Sequence, residues 1–584
     1  MPFSTCTSKA AMNHPHVFSR AESLCFAKIV LMLALLTGGT KVFAQEADLV
    51  IVSAKVWTGL PDAATSSPDA IAVTHGRIVA IGSNREIRRR IGNQSTVIDA
   101  KGNRVIPGIT DSHTHIIGGG LQLARLHLRD VSNKKDFLAA VQRAARQAPE
   151  GEWILGGRWS VESWDNPSPP RAAWLDSVTG DRPVFLTRMD GHSAVANSVA
   201  LAIAGIDADG PSDPAGGEIE RDPQTGKPTG ILKDSAMELV SRHIPPPSPE
   251  AMYRALLRSM KHANSLGITS VDDMCSFAHL AVFRRAEKEH ALTVRITAYL
   301  TGDFAKHQDE IAKTHYGLNG DMVRLAGLKA YMDGSLGSRN AYMREPYADA
   351  PANTPYPRGQ LTAFAASTAS FQNAITQADR RKLQIAVHAI GDQSNHLLLN
   401  AYEEAMRHNK TLDARHRIEH AQHLIPSDIA RFAKLGVIAS MQPFHKADDG
   451  RYAEKALGKR RLIGSYAFRK LVDSGATVVF GSDWPVVTLN PFAGIDSAVN
   501  ARTLEGKVFL PSHSLTVEEA LRAYTVTPPI AIHREHQLGT LEVGKFADIV
   551  ILKDDVLTIP TENIADVRVD TTIVDGRVVY RAQQ

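Results

Sequence analysis

The sequence predicts an α/β protein: a TIM-type (β/α)8 barrel with a large insertion after its first strand, plus a small β-sandwich built from both chain ends. Three observations carry this expectation. Across residues 105–500, eight short apolar runs alternate with helix-patterned segments, as in strands that pair in parallel through helical crossovers. Both ends of the chain read instead as short strands separated by tight turns, the texture of an antiparallel sheet. Four histidines and one aspartate fall where apolar runs stop, and a barrel gathers the ends of its strands around one mouth.

Residues 1–44 are set aside from the fold. Lys9, Arg20 and Lys28 precede an apolar run from Ile29 to Leu36, and Val42-Phe43-Ala44 offers small residues to a signal peptidase. Cleavage after Ala44 is expected, and with it export to the periplasm or the medium. The run is shorter than the roughly 20 residues that span a bilayer, so no stable membrane span is expected after processing. Removing the leader's four Lys/Arg and one Asp/Glu takes the net charge from +4 to +1. With no block of like charge, the chain has no nucleic-acid partner to expect. Cys6 and Cys25 leave with the leader, and Cys275 alone cannot form an internal disulfide. The fold must therefore be held by its core, which 584 residues at 43% hydrophobic and 22% charged content can supply.

The sandwich is expected from residues 45–106 and 538–584. Asp48 to Val52, Ala70 to Val73, Arg77 to Ile81 and Thr96 to Ile98 are its N-terminal strands, with turns at His75-Gly76 and Gly82-Ser83-Asn84. Ala547 to Leu552, Asp566 to Val574 and Arg577 to Tyr580 complete it, the last two joined by the hairpin signal Asp575-Gly576. The barrel occupies 107–537. Its first strand is read at 105–111, the next three at Ile268–Met274, Val294–Leu300 and Val323–Tyr331, and the last four at Gln384–His388, Arg415–His420, Gly436–Met441 and Ala476–Gly481. A segment at about 120–265, with the strand Val184 to Met189, is too long for a βα connection and is expected to form a lobe over the barrel mouth.

His113 and His115 stand two apart at the end of the first run, so they point to the same side and can share a metal. His388, His420 and Asp483 end or follow the fifth, sixth and eighth runs. Four imidazoles and a carboxylate suit Zn²⁺, with Fe²⁺ or Mn²⁺ as alternatives and one or two ions to be held. A metal so held lowers the pKa of water towards ~7. Asp483 is then the general base that takes the water's proton and the acid that returns it to a departing nitrogen, while His420 or the metal polarises the carbonyl. His396, His408, His416, His423 and His445 are read as non-ligands.

These stretches, with Asp190-Gly191-His192-Ser193, Asp333-Gly334-Ser335-Leu336-Gly337-Ser338-Arg339 and Leu541-Glu542-Val543-Gly544-Lys545, resemble the amidohydrolase superfamily in its amidohydrolase-3 branch. The resemblance covers nearly all of residues 47–582. It implies a metal-dependent hydrolase of carbon–nitrogen bonds other than peptide bonds, such as N-substituted formamides, N-acyl amides or cyclic amides. It also implies that Lys329 is carboxylated and bridges two metals; an ordinary ion pair to a carboxylate such as Asp333 is the alternative. His192, Arg339 and Trp484 are candidate substrate contacts, and Arg339 has the alternative of capping Asp333 or Glu345. Cys275 is the rival bridge, because D-aminoacylase relatives use a cysteine near that strand end.

The expected partner is thus a small-molecule amide, and assembly as a homodimer is left open. An esterase, lactonase or isomerase acting through the same centre stays open, as does a non-catalytic ligand-binding protein.

Overall fold

The computed structural model describes residues 46–583 apart from 62–67, 129–130, 162–163, 165–166, 189–192, 215–216, 302–319, 351 and 354–355. The leader expected at 1–44 lies outside the described residues, as does His192. The centre of the fold is an eight-stranded parallel sheet. Its strands are β1 (Ile109–Thr114), β2 (Ile268–Cys275), β3 (Arg295–Thr301), β4 (Val323–Tyr331), β5 (Gln384–Ala389), β6 (Arg417–His420), β7 (Ile438–Met441) and β8 (Val478–Phe480). They pair in sequence order, with helices between them. Parallel strands covered by helices are buried on both faces, which is why they read as apolar runs rather than as alternating patterns. The helices start where the sequence supplies caps. Ser248 accepts a hydrogen bond from the Ala251 N–H and Pro249 sits in the first turn of the helix Pro249–Ser265.

Strands β1 and β8 close the barrel beyond their formal ends. The Asp483 N–H donates to the His113 carbonyl at 2.7 Å, and the His115 N–H donates to the Trp484 carbonyl at 2.8 Å. Gly481 makes this approach possible, because a Cβ there would lie 2.5 Å from the His113 nitrogen.

The first run divides where a single strand is expected. Arg104–Pro107 belongs to another sheet, in which Val105 and Ile106 pair with Ile551 and Val550, and only Ile109–Thr114 enters the barrel. Gly108 is the break: its N–H donates to the Asp548 carbonyl, and a Cβ would lie 2.1 Å from the Thr269 hydroxyl oxygen. Apolarity cannot reveal this division, since both halves are buried.

That second sheet has five strands, Lys55–Val56, Arg104–Pro107, Ile549–Leu552, Val569–Val574 and Arg577–Arg581. A four-stranded sheet of Ala47–Val52, Ala70–Thr74, Arg77–Gly82 and Ile91–Asp99 shares an apolar core with it, including Leu49, Ile71, Ile549 and Ile573. Between β1 and β2 the chain forms a separate six-stranded sheet, whose sides are covered by apolar clusters around Phe137 and Leu175 and around Leu201 and Leu232. Among the described residues no helix is long and apolar enough to cross a membrane.

Candidate metal centre

His113 and His115 leave the end of β1 with their Nε2 atoms 3.5 Å and 3.2 Å from Oδ1 of Asp483. The three residues place one donor atom each within 4.8 Å of one another. His420, at the end of β6, lies beside them: its ring centroid is 4.9 Å from that of His113 and 4.4 Å from that of His388. Strand alternation alone does not give this arrangement. Glu419 and His420 are neighbours, yet Glu419 bonds the back of His113 while His420 packs beside its ring. The backbone of His420 has φ 77°, and that of Asp483 has φ 59°. Both lie in the left-handed region, which side chains avoid at a cost of about 1–3 kcal/mol and which persists where the surroundings enforce it, often at functional sites.

The polarity behind each ring identifies which nitrogens are available. His113 donates from Nδ1 to Glu419 at 2.6 Å, His115 from Nδ1 to the Met274 carbonyl at 3.1 Å, and His420 from Nδ1 to Oε1 of Gln442 at 2.7 Å. His388 donates from Nε2 to the Gly334 carbonyl at 3.4 Å. An imidazole whose proton is drawn away by an acceptor keeps a lone pair on its other nitrogen, the arrangement of metal-ligating histidines. Burial reinforces it by disfavouring imidazolium. It pushes His113 down to about 4, with Lys329 adding to the effect, and His388 down to about 3; His420 is held well below its ordinary range. His115 is the exception, since burial is outweighed by its hydrogen bond and proximity to Asp483, and its pKa rises. A set of imidazoles around one carboxylate, with His113 and His420 disfavoured as imidazolium by burial, fits a divalent ion.

Asp483 is 8% exposed. Burial would raise its pKa, but His113, the hydrogen bond from His115 and His420 together hold it well below the ordinary carboxylate range. Its loop is fixed by Asp111, whose Oδ1 accepts from the N–H groups of Ser482 at 2.9 Å and His113 at 3.1 Å. The other anchor is Arg417, wholly buried in the barrel interior. It donates to Glu419 at 2.7 Å and to Asp272 at 2.6 Å, so the carboxylate behind His113 is itself held in place. Glu419 consequently stays ionised despite its burial.

Lys329, 2% exposed, reaches the same interior from β4 with Nζ 4.8 Å from the Tyr331 ring centroid. Burial lowers its pKa to about 8, although Glu419 and Asp483 oppose the shift. The alternative of an ion pair to Asp333 is corrected. Asp333 accepts from the N–H groups of Tyr342, Ile390 and Gly391 at 2.8, 3.1 and 2.9 Å, and its closest imidazole is His388, at 3.6 Å.

Other expectations need adjustment. Arg339 caps neither Asp333 nor Glu345: its guanidinium makes a two-pronged pair with Asp349 at 2.6 and 3.0 Å and donates to the Leu336 carbonyl. It is thereby committed within its own loop. Trp484 is 6% exposed, with its ring against Gly119 and 5.8 Å from that of His262; it is packed into the wall rather than standing free at the mouth. Cys275 is buried, burial pushes its thiol well up, and it is not in either cluster of metal-competent groups found among the described residues.

His445, read from sequence as a non-ligand, stands at the centre. Its ring stacks on His420 at 6.1 Å, and its donor atom lies within 4.8 Å of those of His420 and Asp483. It comes from the helix Pro443–Asp449 after β7, so no strand-end pattern marks it. Glu419 and Gln442 were also missed, although an Arg-x-Glu pair inside an apolar run signals charge in a barrel interior.

The chain is similar to known proteins over almost its whole length. The model of the amidohydrolase family matches residues 96–580. The protein LONG AFTER FAR-RED 3 of Arabidopsis thaliana is 36% identical over 547 residues, covering 91% of this chain and 92% of that protein. The N-substituted formamide deformylase of Arthrobacter pascens is 28% identical over 548 residues, covering 92% and 99%. The crystal structure of an uncharacterized metal-dependent hydrolase from Pyrococcus furiosus superimposes with a TM-score of 0.70 at 27% identity, covering 87% of this chain and 100% of that one. With imidazoles gathered beside one carboxylate at the end of a parallel barrel, and the family model matching residues 96–580, the chain belongs to the amidohydrolase family and is a metal-dependent hydrolase acting on carbon–nitrogen bonds.

Proposed function

We propose that the protein is an exported hydrolase of small-molecule amides, taking an N-substituted formamide, an N-acyl amide or a cyclic amide, with Zn²⁺ as its ion. The observation that carries the reading is the polarity of the centre: His113 and His420, both beside Asp483, each give their Nδ1 proton to an acceptor, which leaves a lone pair on the other nitrogen of each ring. The deformylase relative supports the formamide class.

A divalent ion bound by these imidazoles and Asp483 supplies a Lewis acid and water of lowered pKa. The chain's own groups do the rest. Asp483, kept ionised by the imidazoles beside it, accepts a proton from the attacking water at a carboxylate oxygen. It delivers that proton to the nitrogen as the carbon–nitrogen bond breaks. Lys329 is the proposed site of carboxylation. Burial lowers its pKa, which raises the share of free amine, the form that combines with CO2 and releases a proton. The resulting carbamate would hold a second ion with His388 and His420.

The test is chelation followed by reconstitution with Zn²⁺, Mn²⁺ or Co²⁺, assayed on a panel of formamides, N-acyl amides, cyclic amides and matched esters. Turnover should vanish with the metal, return with it, and favour amides. Full activity in verified metal-free protein, or turnover confined to esters, would sink the reading.

A further inference from the structure

His445 differs from the other imidazoles of the centre in what holds it from behind. Those of His113, His115, His388 and His420 face acceptors: a carboxylate, a carboxamide oxygen or a carbonyl. Nδ1 of His445 faces a donor, the Nε2 amide of Gln422, at 3.3 Å. With the Gln422 carboxamide turned this way, its Oε1 is buried without a partner among the described residues, Nδ1 of His445 accepts, and the ring's proton sits on Nε2. That Nε2 is buried and has no hydrogen-bond partner among the described residues. His445 is 9% exposed, so solvent does not satisfy it.

A buried N–H without an acceptor carries a desolvation cost of roughly 1–3 kcal/mol, which a bound ligand, ion or water would offset. The space it faces is defined. The donor atoms of His445, His420 and Asp483 lie within 4.8 Å of one another, while no direct hydrogen bond joins His445 to either. An oxygen atom placed among these donor atoms is within hydrogen-bond reach of the His445 ring. His445 belongs to a metal-competent group with His420 and Asp483, and a proton on Nε2 is what would distinguish it from a ligand.

We propose that His445 is a catalytic residue that donates a hydrogen bond from Nε2 to the oxyanion formed when water adds to the substrate carbonyl. The ring keeps its proton throughout; its contribution is a fixed N–H dipole aimed at charge that develops only in the transition state. Gln422 is the positioning residue that sets the tautomer. This rests on the amide-hydrolase reading above.

The experiment compares wild-type metal-loaded protein with His445→Phe, which keeps the ring's bulk without the donor, and His445→Gln, which keeps an N–H. Three quantities are measured: bound metal, the affinity for methylphosphonate as a stable tetrahedral anion, and turnover of formanilide. His445→Phe should retain wild-type metal content, bind methylphosphonate at least tenfold more weakly, and lose ~10²–10³-fold in kcat with KM little changed. His445→Gln should recover part of the anion affinity. Loss of metal in both variants would make His445 a ligand and overturn the proposal, as would unchanged methylphosphonate affinity in His445→Phe or no binding of that anion by wild type. Wild-type protein that leaves formanilide intact counts against the substrate class, while the methylphosphonate comparison still decides the role of His445.

Discussion

Oε2 of Glu419 accepts a 2.6 Å hydrogen bond from Nδ1 of His113, with both side chains almost wholly shielded from solvent. The pair joins the barrel interior to the metal centre, because Glu419 is itself held by Arg417. Partners behind a ligating histidine fix its tautomer, and losing one typically costs 10–100-fold in metal affinity. Glu419→Gln should therefore weaken metal binding by about that factor in a chelator competition. Unchanged affinity would reduce the pair to a packing contact.

Asp483→Asn tests the proton path. The imidazoles remain, so most of the bound metal should stay, while the rate should fall by ~10²–10⁴-fold with loss of the general base. The two quantities must be measured on one sample, since near-wild-type turnover with metal intact would remove Asp483 from proton transfer.

Lys329 and Cys275 separate the two candidate bridges. Lys329→Ala should lower metal content towards one ion, with partial rescue by formate or acetate. Cys275→Ser should leave metal and activity largely as they are, because the thiol is buried outside the metal-competent clusters. The opposite pattern would move the bridge to Cys275.

Acid should destabilise the metal-free fold in a defined window. Burial pushes His388 and His423 down to about 3 and His113 down to about 4, against ~6.5 in an unfolded chain. Between those values the unfolded state binds more protons, so stability rises with pH there and is lost as pH falls from ~6.5 through the folded values. His423 bonds Ser465 at 2.8 Å through Nδ1 and belongs to neither cluster of metal-competent groups. His423→Gln should cut the protons taken up on unfolding near pH 5 by about one, as read from the slope of denaturation free energy against pH. An unaltered slope would show that His423 does not contribute.

Export is tested on protein from the native host. N-terminal sequencing should begin at Gln45, with the protein recovered outside the inner membrane. A membrane-bound form retaining residues 1–44 would make the apolar run an anchor.

Local pattern was enough for the eight barrel strands, because each is a short apolar run between turns and helix signals, and parallel pairing buries both faces of such runs. It was also enough to nominate His113, His115, His388, His420 and Asp483, since a barrel brings strand ends together whatever lies between them in sequence. Tertiary structure alone decided the rest. The division of the first run at Gly108 depends on contacts with Asp548 and Thr269, far away in sequence. The inward turn of His420 beside Glu419 depends on a left-handed backbone that alternation cannot anticipate. His445 reaches the centre from a helix, and the sense of its hydrogen bond with Gln422 distinguishes it from the histidines around it. Residue type reports that an imidazole is present; which nitrogen carries the proton is set by the group packed behind it, and that is fixed only when the chain has folded.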